Sequence, residues 1–157
     1  MNQKEIVQVL ADAPVFEGMK KKDLTRLARH AREIEVDAGT VLFRGGERAA
    51  HFYLLLDGQV SIEIPAVAGP PLEVQRLKPV RVLGWSWLLP PYKWSFNART
   101  LSPARLLEFD GQAVLAECDQ DPAFGYPVIK RFSALMAERL DAAHRKMREQ
   151  WSPPGFA

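Results

Sequence analysis

The strongest constraint on the fold is a series of short β-type segments between Glu33 and Asp110. Asp57-Gly58 separates two of them and is a strong signal for a two-residue hairpin. Many short strands at this spacing are typical of a sandwich or a rolled barrel, and not of a parallel sheet with crossover helices. The predicted strands are residues 34–36, 41–43, 51–56, 59–64, 72–77 and 105–109.

Helical periodicity flanks this β region on both sides. Residues 4–14 and 19–32 are predicted helices, and the many cations of the second are interpreted as a solvated face and not a binding patch. After Asp110, residues 111–118 predict a short helix. Asp121-Pro122 then predicts the start of a long helix of about 20–28 residues, which ends at the Ser-Pro-Pro-Gly run of residues 152–155.

The long helix carries an apolar stripe that its own domain need not cover completely. A second copy of the chain is the simplest cover, so we expect a homodimer through the C-terminal helix, or contact with another protein. The alternative is that the whole stripe packs on the β region of the same chain. The stripe comprises Val128, Phe132, Leu135, Met136, Leu140, Ala143, Met147 and Trp151.

The composition fits one globular domain in a reducing compartment. The chain has 157 residues, of which 47% are hydrophobic and 25% charged, and a net charge of +2 gives no argument for nucleic acid. Cys118 is the only cysteine, so an intrachain disulfide is excluded and a cytoplasmic location is the simplest fit. Neither a signal peptide nor a membrane helix is expected.

An enzyme would need chemistry that the sequence does not offer. His30, His51 and His144 share no metal-ligand spacing, and motifs for zinc proteases, phosphate loops and nucleophile elbows are missing. Cys118 has no partner motif and is interpreted as a small packing residue. We therefore expect no catalytic residues, no metal and no cofactor.

Five segments together resemble the cyclic nucleotide-binding domain, the sensor half of the CRP/FNR-type regulators. The resemblance runs from about residue 6 to 150 and rests on LADAPVFEGMKKKDLTRLA, DAGTVLFRGGE, HFYLLLDGQVSIEI, VLGWSWLL and DPAFGYPVIKRFSALMAERL. It implies a mainly β fold, a β-roll of the double-stranded β-helix or jelly-roll type with flanking helices. The expected organisation of the single domain is 1–32 for N-terminal helices, 33–110 for the β-roll, 111–151 for C-terminal helices and 152–157 for a tail.

In that family the ligand lies in a phosphate-binding cassette. A Gly-Glu pair opens a short helix, and an Arg-Ser or Arg-Thr pair enters the next strand. The helix N-terminus and the Arg bind the cyclic phosphate, and the Glu binds the ribose hydroxyl. Here Gly84 falls on the family's glycine, Trp85 on the Glu, Trp94 on the Arg and Ser95 on the Ser, in a loop about one residue shorter.

Replacing both polar side chains predicts weak binding of an ordinary cyclic nucleotide. Two hydrogen bonds to charged groups are worth about 3–6 kcal/mol, which is about 10² to 10⁴ in affinity. Lys93 could restore part of the charge, and Arg99 is a weaker candidate because it lies further along the strand. The candidate ligand-binding residues are Gly84, Trp85, Ser86, Trp87, Leu88, Lys93, Trp94, Ser95 and Arg99.

The aromatic residues of this loop permit two interpretations. They could form a box for a flat, apolar or cationic small molecule, or they could fill the vacated pocket. The first predicts a non-catalytic ligand sensor that acts by shifting the C-terminal helices; the second predicts a pseudo-sensor that serves as a protein-interaction module. The chain ends shortly after the long helix, so we expect no DNA binding by this chain alone.

Overall fold

Two four-stranded antiparallel sheets form the centre of the computed structural model, which describes residues 1–150. One sheet has the strand order β1-β8-β3-β6 and the other the order β2-β7-β4-β5. The strands are β1 (Ala31–Val36), β2 (Val41–Phe43), β3 (His51–Asp57), β4 (Val60–Ile64), β5 (Leu72–Leu77), β6 (Arg81–Leu83), β7 (Asn97–Thr100) and β8 (Ala104–Asp110).

The turn at Asp57-Gly58 joins β3 to β4, but the prediction of a hairpin was wrong, because the two strands belong to different sheets and do not pair with each other. Gly58 has a φ of +98°, and a Cβ at this position would lie 2.6 Å from the carbonyl oxygen of Pro103. Only glycine fits such a turn without strain. This local signal therefore fixes the connection between the two sheets.

Helices precede and follow the sheets. They are α1 (Gln3–Asp12), a 3₁₀ helix (Pro14–Phe16), α2 (Lys21–Ala28), α3 (Gly111–Gln120) and α4 (Pro122–Gln150). The predicted start of α4 is confirmed, because the Asp121 side chain accepts a hydrogen bond of 3.2 Å from the backbone N–H of Ala123. The predicted end at residues 152–155 lies outside the described residues.

Two predictions of secondary structure were wrong at their edges. The helix predicted over residues 19–32 ends at Ala28, because Ala31 and Arg32 pair with Phe109 and Glu108 of β8. Ala31 continues the helical period by chance, and tertiary pairing overrides that weak preference. The three-residue strand β6 was not predicted. The equally short β2 was, because the turn residues 37–40 and 44–47 mark both of its ends.

The buried residues form two cores, and the loop between β6 and β7 contributes to both. Trp87 belongs to the core between the helices and the first sheet, together with Phe52, Phe109 and Phe132. Trp94 belongs to the core between the two sheets, together with Tyr53, Leu55, Ile62, Leu106 and others. The loop is thus anchored on both sides of the first sheet.

The apolar stripe of α4 is divided between burial and exposure. Val128, Phe132 and Leu135 are buried against the same chain. Leu140 and Met147 are 57% and 53% exposed. The alternative that the whole stripe packs on its own domain is therefore wrong for Leu140 and Met147, although Ala143 between them is buried in the core. Trp151 lies outside the described residues.

Candidate cassette site

The cassette loop, residues 84–96, lacks the short helix that the family resemblance implies. Residues 85–88 form a single turn, in which the N–H of Leu88 donates to the carbonyl of Trp85 at 2.9 Å. Pro90 and Pro91 follow, and neither has an N–H to continue a helical ladder. The expectation of a helix N-terminus at Gly84 was therefore wrong.

Trp94 lies directly against Gly84. A Cβ on Gly84 would be 3.0 Å from Cζ3 of the Trp94 ring, and the φ of +100° also requires glycine. On its other side the Trp94 ring stacks on Phe43, with a centroid separation of 3.8 Å and an interplanar angle of 11°. The residue aligned with the family's Arg thus places an indole beside the cassette glycine.

The cavity at this position, which we call the cassette pocket, has a volume of only about 10 Å³. A buried water needs roughly 10–15 Å³ in the same measure, so there is space for one water at most. Trp85 narrows the space further by its edge-to-face contact with Phe96 at 5.6 Å. The lining residues are Phe43, Ile62, Gly84, Trp85, Ser86, Trp94, Ser95, Phe96 and Arg139.

Five of the nine candidate residues therefore meet at one pocket, and Trp87 and Leu88 do not. Both are buried in the core beneath the helices. The indole N–H of Trp87 donates to the carbonyl of Gly84 at 3.2 Å, and its ring packs on Phe52 and, edge to face, on Phe132 of α4. Trp87 is a structural link between the cassette glycine and α4.

The two candidate cations also lie away from the pocket lining. Lys93 is exposed, and its backbone forms an isolated bridge with Arg48. Ala98 points into the core, so Arg99 points to the opposite face of β7, where it contacts buried Glu63 at 3.0 Å. That hydrogen bond raises the pKa of Arg99 above its ordinary value, and the charge is already neutralised.

Sequence reasoning missed Arg139, which reaches the cassette pocket from α4. Its side chain is 2% exposed and donates hydrogen bonds to Oε1 of Gln75 at 2.6 Å and to the carbonyl of Val82 at 2.9 Å. Burial lowers its pKa to about 10, so it keeps its charge at neutral pH. Residue 139 continues the period of Val128, Phe132 and Leu135, and an Arg on an apolar stripe was the available signal.

A family model decides the relationship of this chain to known proteins. The model for the cyclic nucleotide-binding domain matches residues 33–121, more than half of the chain. The chain belongs to the cyclic nucleotide-binding domain family. The family is one of regulatory binding domains.

One known protein sequence is similar to most of this chain. A proposed potassium channel protein of Rhodopseudomonas palustris is 26% identical over 117 residues, which are 73% of this chain and 27% of the relative. The chain thus spans about a quarter of the length of that relative.

Solved structures confirm the predicted β-roll with N-terminal helices and a long C-terminal helix. A cyclic nucleotide-binding domain from Methylobacillus flagellatus superposes with a TM-score of 0.77 at 14% identity, covering 97% of this chain and 86% of that one. The sensor domain of the transcriptional regulator DNR from Pseudomonas aeruginosa gives 0.69 at 21% identity, covering 88% and 93%. At these identities the likeness concerns the fold.

Neither a metal centre nor a membrane span is found within residues 1–150. In this part of the chain, no group of three or more His, Cys, Asp or Glu side chains is arranged to hold a metal ion. No helix in the same range is long and apolar enough to cross a bilayer.

Proposed function

We propose that this chain is a non-catalytic regulatory domain whose cassette does not hold cyclic AMP or cyclic GMP in the manner of its family. The observation that carries the proposal is the position of Trp94. Its ring lies against Gly84 on one side and against Phe43 on the other, and a cavity of about 10 Å³ is left. A nucleotide would have to displace an indole that is packed in the core.

The electrostatics of the loop support the same proposal. Trp85 and Trp94 stand where a Glu and an Arg would contact ribose and phosphate. Arg99 is paired with Glu63, and Lys93 does not line the pocket. The cassette loop therefore brings no free cation to this pocket. No side chain of the loop compensates for the loss of about 10² to 10⁴ in cyclic-nucleotide affinity.

Titration calorimetry with cyclic AMP and cyclic GMP tests the proposal. Wild-type protein should give no saturable heat at micromolar ligand. The double variant Trp85→Glu/Trp94→Arg restores the family's polar pair and should bind more tightly, whereas Trp94→Ala, which only removes the ring, should not reach the same affinity. Micromolar binding by the wild type would overturn the proposal.

We further propose that signals pass from the cassette loop to α4 through Trp87. This ring contacts both the carbonyl of Gly84 and the ring of Phe132 on α4. Because packed cores switch between discrete arrangements, a small molecule that moves the Gly84 turn would also bias the position of α4. A thermal-shift screen of nucleotides and metabolites would identify such a molecule.

The second candidate function is a protein-interaction module with a permanently filled pocket. It is favoured by the exposed apolar face of α4, which comprises Tyr126, Ile129, Leu140 and Met147. If a broad ligand screen gave no thermal shift while a partner bound to this face, the interaction module would replace the sensor.

We propose a homodimer as the first occupant of that exposed face. Light scattering at high micromolar concentration should give twice the monomer mass, and Leu140→Glu should return the monomer. Gln120→Glu adds the same charge on exposed α3 and should leave the dimer intact. A monomeric wild type would exclude the dimer.

A cytoplasmic location completes the proposal, since one buried cysteine needs no oxidising compartment.

A further inference from the structure

Arg139 also lines a second cavity, which lies outside the cassette. This arginine cleft has a volume of about 240 Å³ and is lined by residues of the 3₁₀ helix, of β6 with the residue before it, and of α4. It is far roomier than the cassette pocket and has space for a small organic molecule. The lining residues are Pro14, Val15, Val80, Arg81, Val82, Arg131, Ala134, Leu135, Glu138 and Arg139.

The arginine cleft carries an excess of positive charge. Its lining residues include three arginines, Arg81, Arg131 and Arg139, and one acidic residue, Glu138, which leaves an excess of two positive charges. Within residues 1–150, Arg139 has its nearest ion pair with Glu138 at 3.9 Å, and no carboxylate lies within 4.0 Å of Arg81 or Arg131. The cleft is therefore suited to an anion.

Arg139 gives the second reason to expect a ligand. A buried charge is costly unless an opposite charge compensates it, yet its close partners are the neutral oxygens of Gln75 and Val82. Burial lowers the pKa of Arg139, the carboxylate of Glu138 opposes this effect, and the like charge of Arg81 adds to it. Arg26 offers a contrast, because it has Glu117 at 3.0 Å and Asp121 at 2.6 Å.

We propose that the arginine cleft binds a small dianion, either inorganic phosphate or the phosphate group of a monoester. Arg81 and Arg131 would bind the oxygens in the fork geometry that guanidinium groups favour, and Arg139 would supply the buried charge. Val15, Val80 and Leu135 would contact the apolar part of an ester. A bound dianion would tie the 3₁₀ helix and β6 to α4, and so hold the helix in place.

Titration calorimetry with inorganic phosphate, at constant ionic strength in chloride, tests the proposal on the full chain. Wild-type protein should show saturable binding, and sulfate should compete. Arg81→Gln and Arg131→Gln should each weaken phosphate by about tenfold or more, since each removes a charge-assisted contact. Arg148→Gln makes the same change at an exposed position of α4 outside the cleft and should leave the affinity unchanged. Phenyl phosphate should bind more tightly than inorganic phosphate if the apolar side of the cleft contacts an ester, and equal affinity would assign the site to the free anion.

The contrary outcomes are equally definite. No saturable heat at millimolar phosphate would overturn the proposal, and so would an equal loss in Arg148→Gln, which would indicate a general charge effect. Hydrogen exchange adds a readout of position, because phosphate should slow exchange around residues 131–139, and unchanged exchange there would contradict the site. Trp94→Ala should retain phosphate affinity, so the cassette proposal and this one can fail separately.

Discussion

The cassette pocket and the arginine cleft share the side chain of Arg139 and differ in almost everything else. The pocket is at the place where the family resemblance predicts the ligand, but aromatic rings fill it and about 10 Å³ remains. The cleft stands outside that place, with about 240 Å³ and an excess of two positive charges. The position of a pocket is set by the fold, whereas its volume and charge depend on individual side chains. A shared position therefore does not by itself preserve ligand binding.

The largest expected effect tests whether the cassette loop is a structural element. Trp87→Ala should lower the free energy of unfolding by about 4–5 kcal/mol, because it removes a fully buried indole and leaves a cavity beside Phe52 and Phe132. Urea unfolding followed by circular dichroism measures the change. A loss below about 1 kcal/mol would contradict the role of Trp87 as an anchor.

The next effect tests whether the cassette pocket is filled by one ring. Trp94→Ala should cost about 3 kcal/mol and create an apolar cavity between Phe43 and Gly84. Such cavities bind flat apolar molecules, so added indole should raise the melting temperature of this variant and not that of the wild type. Equal stabilisation of both proteins by indole would show that the wild-type pocket is open.

A smaller effect contrasts a paired arginine with those of the cleft. The hydrogen bond from Arg26 holds the pKa of Asp121 below its ordinary 3.8. For Glu117, burial alone would raise the pKa, but hydrogen bonds from His30 and Arg26 outweigh it and hold it below 4.5. Carboxylates with lowered pKa values stabilise the fold above their unfolded pKa, and this stability is lost as the pH falls through the folded pKa.

Arg26→Ala should therefore be less stable than wild type at neutral pH, and the two proteins should converge as the pH falls below about 4. Unfolding by urea across a pH series measures the difference. Arg29→Ala, at an exposed position beside α2, is the matched control and should follow the wild-type curve. A gap that persisted at low pH would mean that Arg26 acts mainly through its contact with the Phe124 ring.

The smallest effect concerns the tip of the cassette loop. Tyr92 has a φ of +56°, in the left-handed region that costs most residues about 1–2 kcal/mol. Asn tolerates this region, so Tyr92→Asn should raise the free energy of unfolding by about 0.5–1 kcal/mol, while β-branched Tyr92→Val should lower it. Thermal unfolding of the pair measures both. Loss of stability in Tyr92→Asn would indicate that ring contacts outweigh the strain.

Most of the fold could be predicted because its signals are local. The turn at Asp57-Gly58, the alternation of β5 and the Asp-Pro start of α4 each depend on a few adjacent residues, whereas the pairing of β3 and β4 with other strands does not. β6 was not predicted because clusters of turn residues do not mark both of its ends, as they do for the equally short β2. The end of α2 was predicted too late in the chain because Ala31 has a high helix propensity. It belongs to a strand only through its pairing with Phe109.

The sequence predicts which residues form the cassette loop, but it does not predict how their side chains pack. The family resemblance predicts that Trp85 and Trp94 replace the cassette Glu and Arg, and this stays a prediction. The filling of the pocket could not be predicted, because Phe43, which stacks on Trp94, comes from β2, a distant part of the chain. Side chains alternate along β7, and this alternation predicts that Arg99 points away from the pocket. The helical period of α4 predicts that Arg139 lies on its buried stripe.

Cys118 makes this molecule convenient for following movement of α4. It is the only cysteine of the chain, and it is buried where Gly125 of α4 packs against it. Burial, helped by the neighbouring carboxylates of Asp119 and Glu117, raises the pKa of its thiol to about 11, so almost no thiolate exists at neutral pH. A cysteine introduced on an exposed surface would react alone with a spin label or a fluorophore.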